Sequence, residues 1–252
     1  MNRETSAKRV AFRQLHESGH FILPNPWDIG GARRLEKLGF KALASTSAGA
    51  AWSLGKGDGE LTLDEVLAHL RTLCAATDLP VNADFEAGFA DSPEGVAANV
   101  MLAVDTGIAG VSIEDWSGES IYPLSLAVER MAAARAAIDS TGQDVLLVGR
   151  AEGYRFGEKS IEVVIERLTA YADAGADVLY APWVVNVDEV AAIVAAVAPK
   201  PVNVLLHHPS VKVGELAAVG VRRFSVGARL ASYAWAAFEA AAISVRDEGH
   251  LP

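Results

Sequence analysis

With 252 residues, 51% of them hydrophobic and 21% charged, the chain carries enough apolar side chain for a large core and contains no disordered tract. Its formal charge of −10, from 22 basic and 32 acidic side chains with no Lys/Arg cluster, lacks the electrostatic footprint of a nucleic-acid binder. The single cysteine, Cys74, excludes an intrachain disulfide; it lies on an amphipathic helical pattern, as a buried and inert thiol would.

The first segment, MNRETSAKRVAFRQLHE, is charged throughout and is expected to be neither a signal peptide nor a membrane anchor. Residues 3–18 are expected to form one helix ahead of the first strand. No apolar run reaches the roughly 18 residues of a spanning helix, so no membrane association is expected and the expected location is cytoplasmic. Short apolar runs then alternate with helical patterns to the end of the chain, and Gly or Pro punctuates most joins. The strand candidates are HFILPNPW, KALAST, PVNADFE, GVSIED, VLLVGRAE, DVLYAPW, PVNVLLHH and VRRFSVG.

Eight strand–helix units in about 250 residues, with strands too apolar to face water on either side, predict an α/β fold of the (β/α)8 TIM-barrel kind over residues 1–252, with no internal boundary. A doubly wound sheet would be expected to carry GxGxxG after its first strand. Here that strand ends in Pro24-Asn25-Pro26-Trp27-Asp28.

In such barrels the chemistry sits at the C-terminal strand ends. Those ends carry Ser45, Thr46 and Ser47, then Asp84 and Glu86, Glu114 and Asp115, Arg150 and Glu152, His207 and His208, and Ser225, with Asn203 nearer the start of its strand. Val81, Ala83 and Phe85 read as one face of a buried strand, which puts Asp84 and Glu86 on the other, where unpartnered carboxylates are costly. Several acids converging on one barrel mouth would repel one another unless a cation sat among them, and hard oxygen ligands that keep waters suit Mg²⁺ or Mn²⁺. The alternative is plain salt bridges to nearby Arg or Lys. Arg150 would point its planar fork into the same mouth, toward a carboxylate or an enolate oxygen, or else pair with Glu152 or Glu114. His207 and His208 lack a third ligand at metal spacing and read as structural or supporting residues. Trp116, Trp183 and Tyr122 are candidates for pocket walls or for core.

The blocks FILPNPWDIGGARRLEKLGFKALASTSAGAAWSLGKGDG, VNADFEAGFA, GVSIED and GRAEGY, in this order, resemble the isocitrate lyase/phosphoenolpyruvate mutase superfamily along nearly the whole chain. The resemblance implies Mg²⁺ at the mouth, held directly or through waters by Asp58, Asp84, Glu86 and Glu114, and binding the 2-oxo-carboxylate end of the substrate. It implies that Ser45, Thr46 and Ser47 grip that carboxylate, with Trp27, Asn203 and Ser225 as further substrate contacts, and that Arg150 stabilises a pyruvate enolate. The second acid of the strand-three motif is often Asp in the family and is Glu86 here, a change expected to move the metal's water shell. The superfamily's lyases carry a Lys-Lys-Cys-Gly-His loop after strand four whose cysteine is the acid/base. Here the segment reads Asp115-Trp-Ser-Gly-Glu-Ser-Ile-Tyr-Pro-Leu124, so isocitrate or methylisocitrate cleavage by that route is not expected.

What remains is the shared half of the machinery. The first expectation is a Mg²⁺-dependent carbon–carbon lyase of a small 2-oxo (di)carboxylic acid, of the oxaloacetate-decarboxylase type, with Arg150 and Glu114 as catalytic residues. The second is a hydrolase or mutase acting on a phosphonate or C–C bond, with Glu119 or Tyr122 as acid/base. The third is a non-catalytic binding protein for a 2-oxo acid such as 2-oxoglutarate. The C-terminal segment ARLASYAWAAFEAAAISVRDEG offers more apolar surface than one barrel helix needs. Since superfamily members exchange their last helix between neighbours, a homo-oligomer is expected, a dimer of dimers.

Overall fold

The computed structural model describes residues 3–158 and 160–252. Eight strands appear where the eight apolar runs lie: β1 (Phe21–Leu23), β2 (Leu43–Ala44), β3 (Val81–Asp84), β4 (Gly110–Glu114), β5 (Leu146–Arg150), β6 (Val178–Tyr180), β7 (Val202–Leu205) and β8 (Arg223–Ser225). Helix α1 (Arg3–Leu15) precedes β1, α2 (Ile29–Lys37) follows it, and α3 (Ser47–Ser53) and α4 (Leu63–Ala76) share the β2–β3 connection. One helix fills each later connection: α5 (Pro93–Val104), α6 (Leu124–Ser140), α7 (Ile161–Asp173), α8 (Val187–Val197) and α9 (Val213–Ala218). The chain then runs into α10 (Arg229–Glu248).

All strand pairs are parallel, in the order β1-β8-β7-β6-β5-β4-β3-β2, which is the (β/α)8 barrel the periodicity predicts. The seam between β1 and β2 is closed by a single backbone bond, Ala44 N–H to the Pro24 carbonyl at 3.0 Å. Asn25, between two prolines that cannot donate, extends the seam with its side chain: Nδ2 donates to the Ser45 carbonyl at 2.8 Å, and Oδ1 accepts from Val226 and Gly227, each at 3.0 Å. The PNP sequence that argued against a Rossmann turn is therefore the clasp of the barrel.

Outward strand residues such as Ala83, Val111 and Leu147 pack on the helices, while Phe21, Leu23, Ala44, Leu146, Val148 and Val178 form a separate cluster. Helix α1 caps that cluster with Phe12, which is fully buried and meets His16 and Phe21 edge-on. Arg9 anchors the cap, its Nε donating to the Ile108 carbonyl at 2.8 Å and Nη2 to the Val104 carbonyl at 2.9 Å. No described helix is long and apolar enough to cross a membrane.

Strand β3 departs from simple alternation. It ends at Asp84, and Glu86 adopts a left-handed backbone (φ 46°), so the second acid is delivered by a turn and not by the pleat. Phe85 is fully buried against Phe89, which fixes that turn.

Gly110 sits where Phe12 closes the barrel, and a Cβ there would lie 2.9 Å from Phe12 Cε1 and 2.6 Å from Asn82 Oδ1. Gly110→Ala should therefore lower unfolding stability by roughly 1–3 kcal/mol in denaturant titration. An unchanged midpoint would show that the α1 cap yields freely.

Candidate active site

The C-terminal strand ends surround a cavity of about 600 Å³. Its centre is Arg150, at the end of β5. The guanidinium Nη1 lies 3.2 Å from Asp84 Oδ1 on β3 and 3.0 Å from Glu114 Oε2 on β4, and Nε donates to Glu152 Oε1. The Tyr180 ring lies 5.5 Å from the same guanidinium. The salt-bridge alternative for Asp84 is thus realised, and it coexists with a surplus of acid: Asp84, Glu86, Glu114 and Glu152 share one cation.

That surplus shifts the carboxyls. Burial, and then the nearby charges of Asp84 and Asp58, hold Glu86 up at about 7 against an ordinary value of 4.5, although Arg150 pulls the other way. Burial also pushes Glu114 upward, opposed by Arg150 and reinforced by Glu152, Asp84 and Glu86.

The β2–α3 loop is tied to the same centre. Ser47 donates to Asp84 Oδ2 twice, from its backbone N–H and from its hydroxyl, both at 3.0 Å, while Ser45 Oγ accepts the Asp84 N–H at 2.8 Å. Thr46 caps α3 by accepting from Gly49 at 3.3 Å. Ser45, Thr46, Ser47, Asp58, Asp84, Glu86, Glu114, Arg150 and Ser225 all line the cavity. Asp58 stands at the mouth, 3.7 Å from Arg155.

Four expected residues, Tyr122, Glu119, Trp27 and Asn203, do not line it. Tyr122 is buried with its hydroxyl on Asp91 Oδ1 at 2.5 Å and its ring 4.1 Å from the Arg130 guanidinium, so it is placed away from the cavity as an acid/base. The reason is the short hairpin that stands where the lyase loop would be: Trp116 bridges Ile121, Ser117 N–H donates to the Ser120 carbonyl at 2.9 Å, and Tyr122 N–H returns to Asp115 O at 2.8 Å. Glu119 is exposed in this turn. Trp27 stands behind α3, close enough that a Cβ on Gly49 would lie 2.9 Å from its Cβ. Asn203 is buried, donating to Ser225 Oγ at 2.9 Å and accepting from Arg223 Nε at 3.0 Å.

Sequence reasoning passed over Arg223, which is 2% exposed, lines the cavity and is held by Asn203 and by Asn82 Oδ1 at 3.3 Å. Burial lowers its pKa to about 10. The signal was available in VRRFSVG, where the second arginine shares its strand face with Ser225. His207 lines the cavity against the Trp183 ring, at 4.4 Å between centroids, whereas His208 is exposed and bonded to Ser210.

Among the described residues no three His, Cys, Asp or Glu side chains stand together at metal-holding spacing, because Arg150 separates the acids. The donor set nevertheless fits a hard cation that keeps most of its waters. All donors are carboxylate oxygens, and Glu86 Oε1 and Glu152 Oε2 are buried without a hydrogen-bond partner.

A parallel eight-stranded barrel with acids, an arginine and a serine-rich loop converging on its C-terminal mouth has the layout of a TIM-barrel enzyme. The chain belongs to the phosphoenolpyruvate phosphomutase family, whose pattern matches residues 12–246. That places it in the phosphoenolpyruvate mutase/isocitrate lyase superfamily of lyases and mutases. It is 32% identical over 174 residues to the 2-methylisocitrate lyase of Escherichia coli (strain K12), covering 62% of this chain and 57% of that one. A Burkholderia cenocepacia J2315 protein provisionally named a lyase/mutase superposes with a TM-score of 0.95 at 46% identity, covering 98% of this chain and 91% of that one. Oxaloacetate acetylhydrolase, solved with the product oxalate, superposes with a TM-score of 0.90 at 28% identity, covering 98% and 89%.

A carboxyl whose pKa is higher folded than unfolded binds more protons when folded, so the stability it contributes is intact below the unfolded value and is lost as pH rises through the folded one. For Glu86 the window runs from 4.5 to about 7. In chelator-containing buffer the native chain should lose on the order of 2 kcal/mol across this window relative to Glu86→Gln. Parallel stability curves for the two proteins would show that the Glu86 carboxyl is not held high.

Proposed function

We propose that the chain is a divalent-cation-dependent lyase of small 2-oxo (di)carboxylic acids, working through a pyruvate-type enolate, with oxaloacetate decarboxylation as its simplest reaction. The observation that carries this reading is Arg150, half-buried at the cavity centre, with Nε and Nη1 committed to three carboxylates. Such a guanidinium is held rigidly where negative charge would develop on a keto oxygen. The superfamily's lyases support the class, and the oxaloacetate acetylhydrolase neighbour supports a 2-oxo diacid as substrate.

In this reading the β2–α3 loop and Arg150 orient the 2-oxo-carboxylate end. The C3–C4 bond then breaks, its electron pair enters the enolate, CO₂ leaves, and a proton from solvent returns to C3 to give pyruvate. Mg²⁺ or Mn²⁺ would be held by Asp84, Glu86, Glu114 and Asp58 and would supply Lewis acidity toward the keto and carboxylate oxygens. Loss of CO₂ needs no prior proton abstraction by the absent cysteine. That is why it asks least of this chain.

The second reading is C–C hydrolysis, favoured by the same neighbour; it would convert oxaloacetate and water into oxalate and acetate. Product analysis by NMR with Mg²⁺ present separates the two. Pyruvate supports the lyase, oxalate with acetate replaces it by the hydrolase, and 2-oxo-acid binding without turnover leaves a binding protein. Arg150→Lys keeps the charge but loses the planar fork, so turnover should fall at least tenfold, about 1.4 kcal/mol of transition-state stabilisation. An unaffected rate would remove Arg150 from the chemistry.

The same reading includes assembly as a homo-oligomer, a dimer of dimers. Of the 20 residues of α10 only Ala231 is buried, and Tyr233 and Phe238 are 70% and 63% exposed. Light scattering should give a multimer that Phe238→Asp dissociates. A monomeric native chain at micromolar concentration would sink this assignment.

A further inference from the structure

The cavity changes character from floor to rim. Its floor holds Asn82 and Arg223, 1% and 2% exposed, and its middle holds the acids around Arg150. Its rim is aromatic. Trp116, on the hairpin that stands in place of the lyase loop, stacks on Phe156 with ring centroids 3.6 Å apart and planes 10° from parallel. Phe156 remains 42% exposed. Across the strand ends Trp183, 36% exposed, holds a left-handed backbone (φ 74°) that a bulky side chain rarely adopts, and its ring rests on His207.

The rim also carries charge: Arg155 is paired with Asp58 and lies 5.3 Å from the Phe156 ring, and Arg229 lines the same cavity near His207. A volume near 600 Å³ also suits a ligand much larger than a four-carbon acid. We infer that the ligand of this cavity is a 2-oxo (di)carboxylic acid carrying a flat, apolar substituent on C3, its 2-oxo-carboxylate end held at Arg150 and its substituent against the aromatic rim formed by the Trp116–Phe156 stack and Trp183. The inference rests on the 2-oxo-acid reading and names the substrate class within it. Offset and edge-on ring contacts would supply the preference, and the displaced water would add to it.

Pyruvate and phenylpyruvate share the charged end and differ only in the ring, so they are the probes. In calorimetric titrations of the full chain with Mg²⁺ present, phenylpyruvate should bind at least tenfold more tightly than pyruvate. Trp116→Ala and, independently, Phe156→Ala should reduce that ratio to within about threefold while leaving pyruvate affinity unchanged; Trp116→Phe should keep most of it. Equal binding of the two acids by the native chain, or equal weakening of both by the alanine variants, overturns the inference and leaves the 2-oxo-acid reading standing. Binding of neither acid overturns both.

Discussion

One guanidinium holds three strands of this barrel at their working ends. Arg150 on β5 contacts Asp84 of β3, Glu114 of β4 and Glu152 beyond β5, so its charge is shared by acids that would otherwise repel one another in a half-buried space. Burial of such a group is costly unless its partners are in place, and loss of one partner leaves the others uncompensated. The surplus of acid over base is therefore a property of the fold, and it is what the proposed divalent cation would offset. The β2–α3 loop depends on the same centre, because both hydrogen bonds from Ser47 end on Asp84.

Arg150 is itself held from behind. Glu152 is fully buried, and its backbone N–H donates to Asp115 Oδ1 at 2.7 Å. Asp115 Oδ2 in turn accepts from Tyr171 at 2.6 Å and from Arg167 at 3.0 Å, and Arg167 Nη2 donates to the Tyr122 carbonyl at 3.0 Å. Helix α7, on the outer layer, thereby fixes both the end of β5 and the base of the hairpin after β4. A chain of buried hydrogen bonds rigidifies what it surrounds, and here only Glu152 Oε2 is left without a partner. This one sets the position of the arginine without touching the cavity.

The parts legible in sequence were those that depend on periodicity. All eight apolar runs became strands in the expected order, and Asp84, Glu86 and Glu114 at their C-terminal ends reached one cavity, because a parallel barrel buries both faces of each strand and collects the chain's polar residues at the rims. The parts not legible depend on local turns and long-range partners. Glu86 reached the cavity through a left-handed residue that alternation does not foresee. Tyr122 was carried behind the strand ends by a four-residue turn at Ser117–Ser120 and a cation–π contact with Arg130, neither of which leaves a periodic trace. Asn203 is a partner of Arg223 and Ser225, a role visible only once β7 and β8 are paired.

That pairing also explains why a bare cation can sit in the floor. Arg223 has amide oxygens from Asn82 and Asn203 but no carboxylate salt bridge among the described residues, and its only charge-raising neighbour is Tyr180. Amides satisfy its N–H groups without cancelling its charge, so a positive potential persists beneath the acidic ring. Above the ring the rim carries the rings of Trp116, Phe156 and Trp183 beside the paired charges of Arg155 and Asp58. From floor to mouth the cavity thus runs from positive through negative to aromatic, and an asymmetric ligand with an anionic head experiences that gradient as an orientation. Head-down entry brings its charge to Arg150; the reverse pose sets an anion against rings and leaves Arg150 shared only among its acids. In the proposed function, selection of one pose is what would turn an enolate-stabilising centre into a specific site.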